Sequence, residues 1–316
     1  MPTEVRRLSF GPSGTASTGS FREYVRFIHD AFNGSGFVNT FPSGAINTAS
    51  VDPPTAQNQV RGYNVWAFGD VSQSAAPQFI RVEFRSLQSS TFNAWGLNLY
   101  FGNRHDGSGN LVDLPFTRSI TLGSAGAGGA FTAQQSASCL WTGESGSRVA
   151  VIMGAYASGA GADYAIMWFN INRINDWNGG LTPSGVIMHY GGGSGSSPRA
   201  GHAYISREIG KNYIQSSGHV ILLSTTVNTG SGGTTAISPL FTGKGVINPH
   251  SYDVFMVNSA QPDYVITNGN ITGSQYILNV YDVNRNFIRL PRSVGGDISN
   301  QLYNFNAASA LLFRYE

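Results

Sequence analysis

The chain has 316 residues, of which 41% are apolar, 12% aromatic and 11% charged, and its formal net charge is +2. This length and apolar content can bury a large core, as one β domain or two smaller lobes, and they exclude a disordered polar chain. With so small a net charge and no Lys/Arg run longer than Arg6-Arg7, the composition argues against nucleic-acid and anionic membrane partners.

The charged share is unusually low, since soluble domains average about 25%. A lone soluble monomer normally carries more surface charge, so the composition favours a surface partly covered by other subunits. The alternative is a Ser/Thr/Asn-rich β protein that stays soluble through neutral polar groups. Of the basic residues 17 are Arg and 2 are Lys. Arg suits protein interfaces because its planar fork makes several hydrogen bonds, although a genomic codon bias gives the same preference.

Targeting and crosslinking signals are absent from the sequence. Cys139 is the only cysteine, so no intrachain disulfide is expected. The first seven residues, MPTEVRR, are not followed by an apolar h-region, and no apolar run approaches the roughly 20 residues that span a bilayer. We therefore expect a soluble chain made in the cytosol, without a signal peptide.

The first 48 residues predict an N-terminal arm and one short amphipathic helix. Residues 1–20 contain Gly11, Pro12, Gly14 and Gly19, which are typical of an arm. Ser20 is positioned to cap a helix over residues 21–32, and Gly34 to end it. The helix has one apolar stripe at i, i+3, i+4 and i+7 spacing, formed by Phe21, Tyr24, Val25, Ile28, Ala31 and Phe32. This stripe is expected to cover a sheet face, the alternative being a neighbouring subunit.

The clearest strand signal lies in residues 63–101. Residues 63–68, 79–85 and 95–101 each alternate with period 2, which is typical of strands with one buried face. Short turns separate the three runs, so they predict an antiparallel meander. Within the second run Arg81, Glu83 and Arg85 form one charged row opposite Ile80, Val82 and Phe84.

Further strand-like runs continue to the C-terminus, and the apolar tail at 310–315 is expected to lie within a sheet. The Gly-rich stretch 191–197 (GGGSGSS) is the most linker-like. The predicted fold is therefore all-β, with one or two antiparallel β-sandwiches after the arm and helix. The predicted divisions are 1–48, 49–190 and 191–316, the last two forming separate lobes or one continuous domain.

No segment encodes a known catalytic or metal motif. The glycine clusters at 123–129 and 191–195 lack the following helix and the Gly-Lys-Ser/Thr of a phosphate loop. The six histidines form no H-x-H or H-x-x-x-H pair, so no local zinc site is encoded. The loop from Asp106 to Asp113 spaces oxygen ligands as a calcium loop does, but Thr117 stands where an EF-hand has Glu, and a solvated hairpin tip explains the same residues.

The carboxylates and tryptophans do not indicate an enzyme either. Glu83 lies between arginines, where an ion pair is the simpler role than glycosidase chemistry. Trp141 and Trp177 are candidates for stacking on a glycan, although Trp is more often part of a β core. We expect no enzymatic activity and no cofactor.

The most specific part of the meander is YNVWAFGD at 63–70 followed by SAAPQFIRVEF at 74–84. These residues combine an aromatic strand and a polar turn with an Ala-Pro step and an "FIRVEF"-like strand. This pattern resembles structural proteins of tailed bacteriophages. The hairpin around 96–111, residues 169–173 with 185–188, and the strands of 274–290 are similar to further parts of those proteins. The turn at 175–179, NDWNG, is less charged than the turn expected of that group.

The resemblance implies a virion component of the tail, baseplate or neck that acts by subunit assembly and is made in the host cytoplasm. Its implied partners are further copies of itself and other virion proteins, not nucleic acid or membrane. We place the candidate interface at Arg81, Glu83, Arg85, Arg6 and Arg7. The alternative is a receptor-binding, lectin-like fibre or spike that recognises host surface glycan, with Trp141 and Trp177 as its contacts.

Overall fold

The computed structural model describes residues 3–9, 18–86, 95–112, 120–122, 136–156, 164–175, 181–192, 202–205, 214–216, 221–228, 233–247, 250–256, 264–268, 275–280, 283–289 and 309–314. Within these ranges the chain is built from antiparallel β-sheets and one α-helix. The expectation of an antiparallel β protein with one helix is confirmed.

Helical structure is confined to the N-terminal third of the described ranges, and strands follow it to the C-terminus. The helix α1 spans Thr18–Gly34, and a 3₁₀-helix spans Val71–Ser74. In chain order the strands are β1 (Thr3–Ser9), β2 (Val38–Asn39), β3 (Val60–Ala67), β4 (Phe79–Ser86), β5 (Trp95–Gly102), β6 (Arg104–His105), β7 (Leu111–Val112), β8 (Ile120–Leu122), β9 (Ser136–Glu144), β10 (Arg148–Tyr156), β11 (Tyr164–Asn175), β12 (Leu181–Gly192), β13 (His202–Ile205), β14 (Ile214–Ser216), β15 (Ile221–Asn228), β16 (Gly233–Ile247), β17 (His250–Met256), β18 (Tyr264–Asn268), β19 (Gln275–Val280), β20 (Val283–Arg289) and β21 (Ser309–Arg314).

These strands form three larger sheets and one small hairpin. Sheet 1 has seven strands in the order β1-β9-β10-β11-β12-β13-β14. Sheet 2 has five, in the order β2-β3-β4-β5-β8, and β6 pairs with β7 alone. Sheet 3 has seven strands, β15-β16-β18-β21-β20-β19 with β17 added on β16. The C-terminal strand β21 lies between β18 and β20, so the prediction that the apolar tail lies in a sheet is confirmed.

The predicted meander is the centre of sheet 2. β3 pairs with β4 and β4 with β5, both antiparallel. The residues that alternate toward the core include Ile80, Val82 and Phe84 on β4, each at most 1% exposed. Their cross-strand partners on β5, Phe101, Leu99 and Leu97, are buried as well. The charged row of β4 therefore lies on the opposite, outer face of sheet 2, as its period predicts.

The helix packs between sheets 1 and 2. All six residues of its predicted stripe are fully buried within the chain, which confirms that the stripe covers a sheet rather than a neighbouring subunit. Phe32 stacks on Trp66 of β3 with ring centroids 5.4 Å apart and on Phe169 of β11 at 6.2 Å. Phe27 is also fully buried, so the apolar surface of α1 is wider than the predicted stripe. Each such side chain stabilises the fold by roughly 1.5–3 kcal/mol.

One end of α1 differs from its prediction, and the other agrees with it. Ser20 lies inside the helix, which begins at Thr18, so its assignment as the N-cap was wrong. At the other end α1 finishes at Gly34 as predicted, but the left-handed residue is Gly36, with φ +86°. The Gly36 N–H donates to Asn33 O and the Phe37 N–H to Phe32 O, which is a Schellman motif. The Phe32 and Phe37 rings form the hydrophobic contact that accompanies this motif, with ring centroids 5.3 Å apart.

The N-terminal segment and the predicted lobes share sheet 1. Residues 3–9 of the predicted arm form β1, which pairs with β9, while residues 10–17 lie outside the described residues. Gly191 and Gly192, predicted to begin a linker, belong to β12. Sheet 1 takes strands from all three predicted segments, 1–48, 49–190 and 191–316, and the division into lobes stays a prediction. No helix of the described ranges is long and apolar enough to cross a membrane.

Candidate functional site

The charged row of β4 contains one close ion pair. Arg81 Nη2 lies 2.7 Å from Glu83 Oε1, and the two side chains are 17% and 8% exposed. Residues i and i+2 of a strand share a face, so the period-2 pattern itself places this pair together. The prediction that Glu83 serves in an ion pair is confirmed.

The other oxygen of Glu83 is occupied by the neighbouring strand. Asn98 Nδ2 donates to Oε2 at 3.3 Å, and the Tyr100 hydroxyl donates at 3.1 Å. Both donors lie on β5, where Asn98 is the cross-strand partner of Glu83. The buried carboxylate is therefore hydrogen-bonded at both oxygens, which compensates for its removal from water.

Arg81 also binds the loop between β6 and β7, residues 106–110, which we call the hairpin tip. Its Nη1 donates to Gly109 O and to Asn110 Oδ1, each at 3.0 Å. Its guanidinium carbon lies 3.8 Å from the centroid of the Tyr63 ring, a cation–π contact. The Tyr63 hydroxyl in turn donates to Ser108 O at 3.1 Å. We call this group, with Glu83, Asn98 and Tyr100, the Arg81 cluster, and it holds the hairpin tip over the outer face of sheet 2.

The remaining candidate interface residues lie apart from this cluster. Arg85 Nε donates to Ser86 O at 3.0 Å and its Nη2 to Asn58 Oδ1 at 2.8 Å. Arg6 and Arg7 belong to β1 of sheet 1, where their register partners are Cys139 and Ser138. The structure thus keeps the row of β4 on one sheet and the N-terminal pair on another.

The loop with calcium-like spacing of oxygen ligands is a hydrogen-bonded turn at the hairpin tip. Asp106 Oδ1 accepts from the Ser108 N–H at 2.7 Å and the Asn110 N–H at 3.1 Å, and Oδ2 accepts from Asn110 Nδ2 at 2.9 Å. The Asn110 side-chain hydrogen bond, and next the Ser108 backbone N–H, lower the pKa of Asp106 from its ordinary value. Asp113, the predicted end of the loop, lies outside the described residues. In the part of the chain that is described, no three His, Cys, Asp or Glu side chains are grouped to hold a metal ion.

The two tryptophans proposed for glycan contact have different outcomes. Trp141 is 5% exposed and belongs to the core, and its Nε1 donates to Glu4 Oε2 at 3.0 Å. Its ring packs so closely on Gly34 that a Cβ there would overlap it. The glycan assignment of Trp141 was therefore wrong, because a ring enclosed by its own chain offers no face to a sugar. Trp177 lies outside the described residues and stays a prediction.

Arg173 forms a second cluster that the sequence interpretation did not find. From β11 its Nε donates to Asp70 Oδ2 at 2.5 Å, Nη1 to Ala76 O at 2.7 Å and Nη2 to Gln73 Oε1 at 2.8 Å. The guanidinium carbon lies 4.7 Å from the centroid of the Phe68 ring. The Arg173 and Asp70 side chains are only 4% and 12% exposed. We call these residues the Arg173 cluster; it joins sheet 1 to the segment between β3 and β4 of sheet 2.

A junction of three glycines lies at the same end of sheet 2. The Gly69 N–H donates to Gly146 O at 3.0 Å, and the Gly146 N–H donates to Ser35 O at 2.6 Å. A Cβ on Gly69 would overlap the carbonyl oxygen of Gly36. Gly146 has φ +74° in the turn between β9 and β10. The end of α1, the end of β3 and this turn can therefore touch backbone to backbone only where side chains are absent.

The clusters described above serve to connect segments of the chain. Their guanidinium, carboxylate and amide groups hydrogen-bond one another and backbone oxygens, and each fixes a loop against a sheet. Such an arrangement makes these parts of sheets 1 and 2 rigid. No protein-family model matches this sequence, and neither a curated protein nor a solved structure was found to be significantly similar to it.

Proposed function

We propose that this chain is a structural component of a tailed-bacteriophage virion, in the tail, baseplate or neck, and that it acts by assembling with copies of itself and with other virion proteins. The proposal also takes sheets 1 and 2 as a β-sandwich around α1, preceded by an N-terminal arm. The sandwich is supported by the buried cluster in which Trp66 of sheet 2 and Phe169 of sheet 1 lie with Phe32 of the helix.

One observation carries the proposal. Residues 63–84, the most specific stretch of the resemblance, and residues 169–173, one of its further parts, are the two sides of the Arg173 cluster. Arg173 ends the second stretch, and Asp70 and Ala76 lie in the turn and Ala-Pro step of the first. The resemblance therefore follows residues that contact each other across about a hundred positions of sequence.

The composition supports the same proposal. Charged residues make up 11% of the chain, and several of those that the structure describes bind one another within it. A surface with few free charges suits contact with other subunits. Arg85 has both of its described hydrogen bonds to neutral oxygens, so its charge is available to a carboxylate of a partner. Val38 on the edge strand β2 is 53% exposed and Val71 is 95% exposed, and both are candidates for apolar contacts in the assembly.

Quantitative mass spectrometry of purified particles tests this function. The expected result is a fixed copy number above one per particle, because virion components occur in symmetric sets. A non-structural protein of the same virus, expressed to a similar level in the infected cell, is the control and should be depleted from the particles. Absence of the chain from purified particles would contradict the proposal.

The receptor-binding alternative is tested separately with glycan arrays. Binding by the purified chain that is lost on Trp177→Ala would favour that class over a purely structural role. Trp141→Phe is the matched comparison, since Trp141 is enclosed in the core and its ring should not contribute to glycan binding. If the wild-type chain binds no glycan on the array, the receptor-binding alternative loses its support.

A further inference from the structure

We propose that β1 is exchanged between copies of this chain, so that β1 of one copy pairs with β9 of a second copy in the register found within one chain. The inference deepens the proposed assembly function and rests on it, because it names the segment and the edge by which two copies join. The occupant of the β9 edge is then a second copy of the same polypeptide.

The contact to be exchanged is a complete strand pairing. β1 pairs antiparallel with β9 over seven residues, from Thr3 opposite Thr142 to Ser9 opposite Ser136. β1 is the outermost strand of sheet 1, so it can leave and be replaced without breaking any other strand pair of that sheet. In an exchange the same backbone hydrogen bonds form between two copies instead of within one, so no new kind of interface is required.

A side-chain contact fixes the register of this pairing. Glu4 Oε2 accepts the Trp141 Nε1–H at 3.0 Å, and Glu4 and Trp141 are register partners. Trp141 is 5% exposed with β1 in place, and departure of β1 removes the acceptor of its indole N–H. The loss of this hydrogen bond costs roughly 0.5–1.5 kcal/mol, or more for a charged acceptor, in addition to the unpaired edge of β9. The β9 edge is therefore filled by a β1, either its own or that of another copy.

The sequence between β1 and α1 permits both arrangements. Eight residues, 10–17, separate Ser9 from Thr18, and they include Gly11, Pro12 and Gly14. Fully extended, eight residues span at most about 29 Å. A short tether gives a strand an effective concentration in the millimolar range for its own acceptor edge. Pairing within the chain is thus expected in dilute solution, and exchange where copies are packed together, as they are in an assembly.

The single cysteine provides a direct test. Arg6 is the register partner of Cys139, and directly paired residues of an antiparallel sheet have Cα atoms about 4.5–5.5 Å apart, within the range of a disulfide. Arg6→Cys protein is refolded under mild oxidation at a series of concentrations and run on non-reducing gels. Exchange predicts a disulfide-linked dimer that is reversed by reductant and whose share rises several-fold from micromolar to millimolar protein. Arg7→Cys is the matched control, because its register partner is Ser138, and it should form no such concentration-dependent dimer.

Two outcomes would overturn the exchange. The first is a disulfide that stays within one chain at every concentration. The second is no disulfide at all, because the pairing on which the exchange depends would then be absent. If Arg6→Cys does not fold, the variant Arg7→Cys/Ser138→Cys/Cys139→Ser tests the same register on the other face of the strands. Light scattering of the wild-type chain gives an independent reading, since the share of dimer should rise with protein concentration.

Failure of the exchange differs from failure of the virion assignment. A chain found in particles but crosslinked only within itself would contradict the exchange alone. A chain absent from particles would contradict the virion assignment, whatever its disulfide pattern.

Discussion

Arg173 and Arg81 make similar contacts in different surroundings. Each guanidinium pairs with a carboxylate, donates to a backbone carbonyl and lies over an aromatic ring. The Arg173 side chain is 4% exposed and its ion-pair partner is 103 residues away in sequence. The Arg81 side chain is 17% exposed, and its contacts are with its own strand, the neighbouring strands β3 and β5 and the hairpin tip. The same residue type thus joins two sheets in one place and secures a local hairpin in the other.

The comparison teaches where the stability of the described region is concentrated. Breaking an ion pair costs more free energy when the pair is buried, because water cannot solvate the charge that remains. Asp70 Oδ1 has no hydrogen-bond partner among the described residues, so Asp70 depends heavily on Arg173. Glu83 keeps Asn98 and Tyr100 as donors when Arg81 is removed. Arg173 should therefore matter more than Arg81, although both form short ion pairs.

The largest effect is expected from Arg173→Met. The substitution leaves the buried Asp70 carboxylate unpaired and should lower the free energy of unfolding by about 3–5 kcal/mol. Urea denaturation followed by tryptophan fluorescence measures it. Arg173→Lys is the control that keeps the charge but not the fork, and it should recover only part of the loss. A loss below that of Arg81→Met would contradict the comparison.

Gly69→Ala should have the next largest effect. A Cβ at this position overlaps the Gly36 carbonyl oxygen, and the junction consists of backbone atoms that cannot rotate away. The free energy of unfolding should fall by about 3 kcal/mol, at the upper end of the usual cost of overpacking. Ala75→Ser, at an exposed position of the same segment, should leave stability unchanged. An unaltered urea midpoint for Gly69→Ala would show that the three backbones do not meet as described.

Arg81→Met should destabilise the chain by about 2 kcal/mol, since charged hydrogen bonds to Glu83 and to the hairpin tip are lost. Arg85→Met is a matched control on the same face of the same strand, and a smaller loss is expected because its described hydrogen bonds go to neutral oxygens. Limited proteolysis gives a second reading. Cleavage within residues 103–110 should accelerate in Arg81→Met only, and equal cleavage in both variants would argue against the hairpin contact.

Asp106→Asn should have the smallest effect and the clearest dependence on pH. The pKa of Asp106 is lowered in the folded chain, so its carboxylate stabilises the fold above the pKa of the unfolded chain, and this contribution disappears as pH falls through the folded pKa. The melting temperatures of wild type and variant should therefore differ at neutral pH and converge below about pH 4. Ser108→Ala keeps the N–H that donates to Asp106 and should titrate like wild type. A difference that is independent of pH would contradict the assigned cause.

The sequence predicts those parts of this fold that depend on local periodicity. Period-2 alternation placed the strands of the meander within a few residues of their bounds, and i, i+3, i+4 spacing identified the buried stripe of α1. The pair Arg81 and Glu83 was predictable because both residues lie on one face of one strand. The exposed Asp106 turn was predictable from its Asp, Gly and Asn residues, since such side chains bond their own backbone.

The rest of the fold depends on contacts between distant segments. Nothing around Arg173 distinguishes it from other strand arginines, because its partners are about a hundred residues away. β16 was not predicted, since its sequence, GTTAISPLFTGKGVI, contains Pro239 and three glycines, residues that are disfavoured in strands. The burial of Trp141 likewise follows from the position of Gly34, on a helix that lies far from it in sequence.

Two double-mutant cycles test most directly that Arg173 joins the two sheets while Arg81 secures only a hairpin. One cycle combines Arg173→Met with Asp70→Asn, and the other combines Arg81→Met with Glu83→Gln, with the free energy of unfolding measured for every variant. The predicted coupling energy is about 2–3 kcal/mol for the first pair and about 1 kcal/mol or less for the second. Equal coupling energies, or a larger value for Arg81 and Glu83, would contradict it.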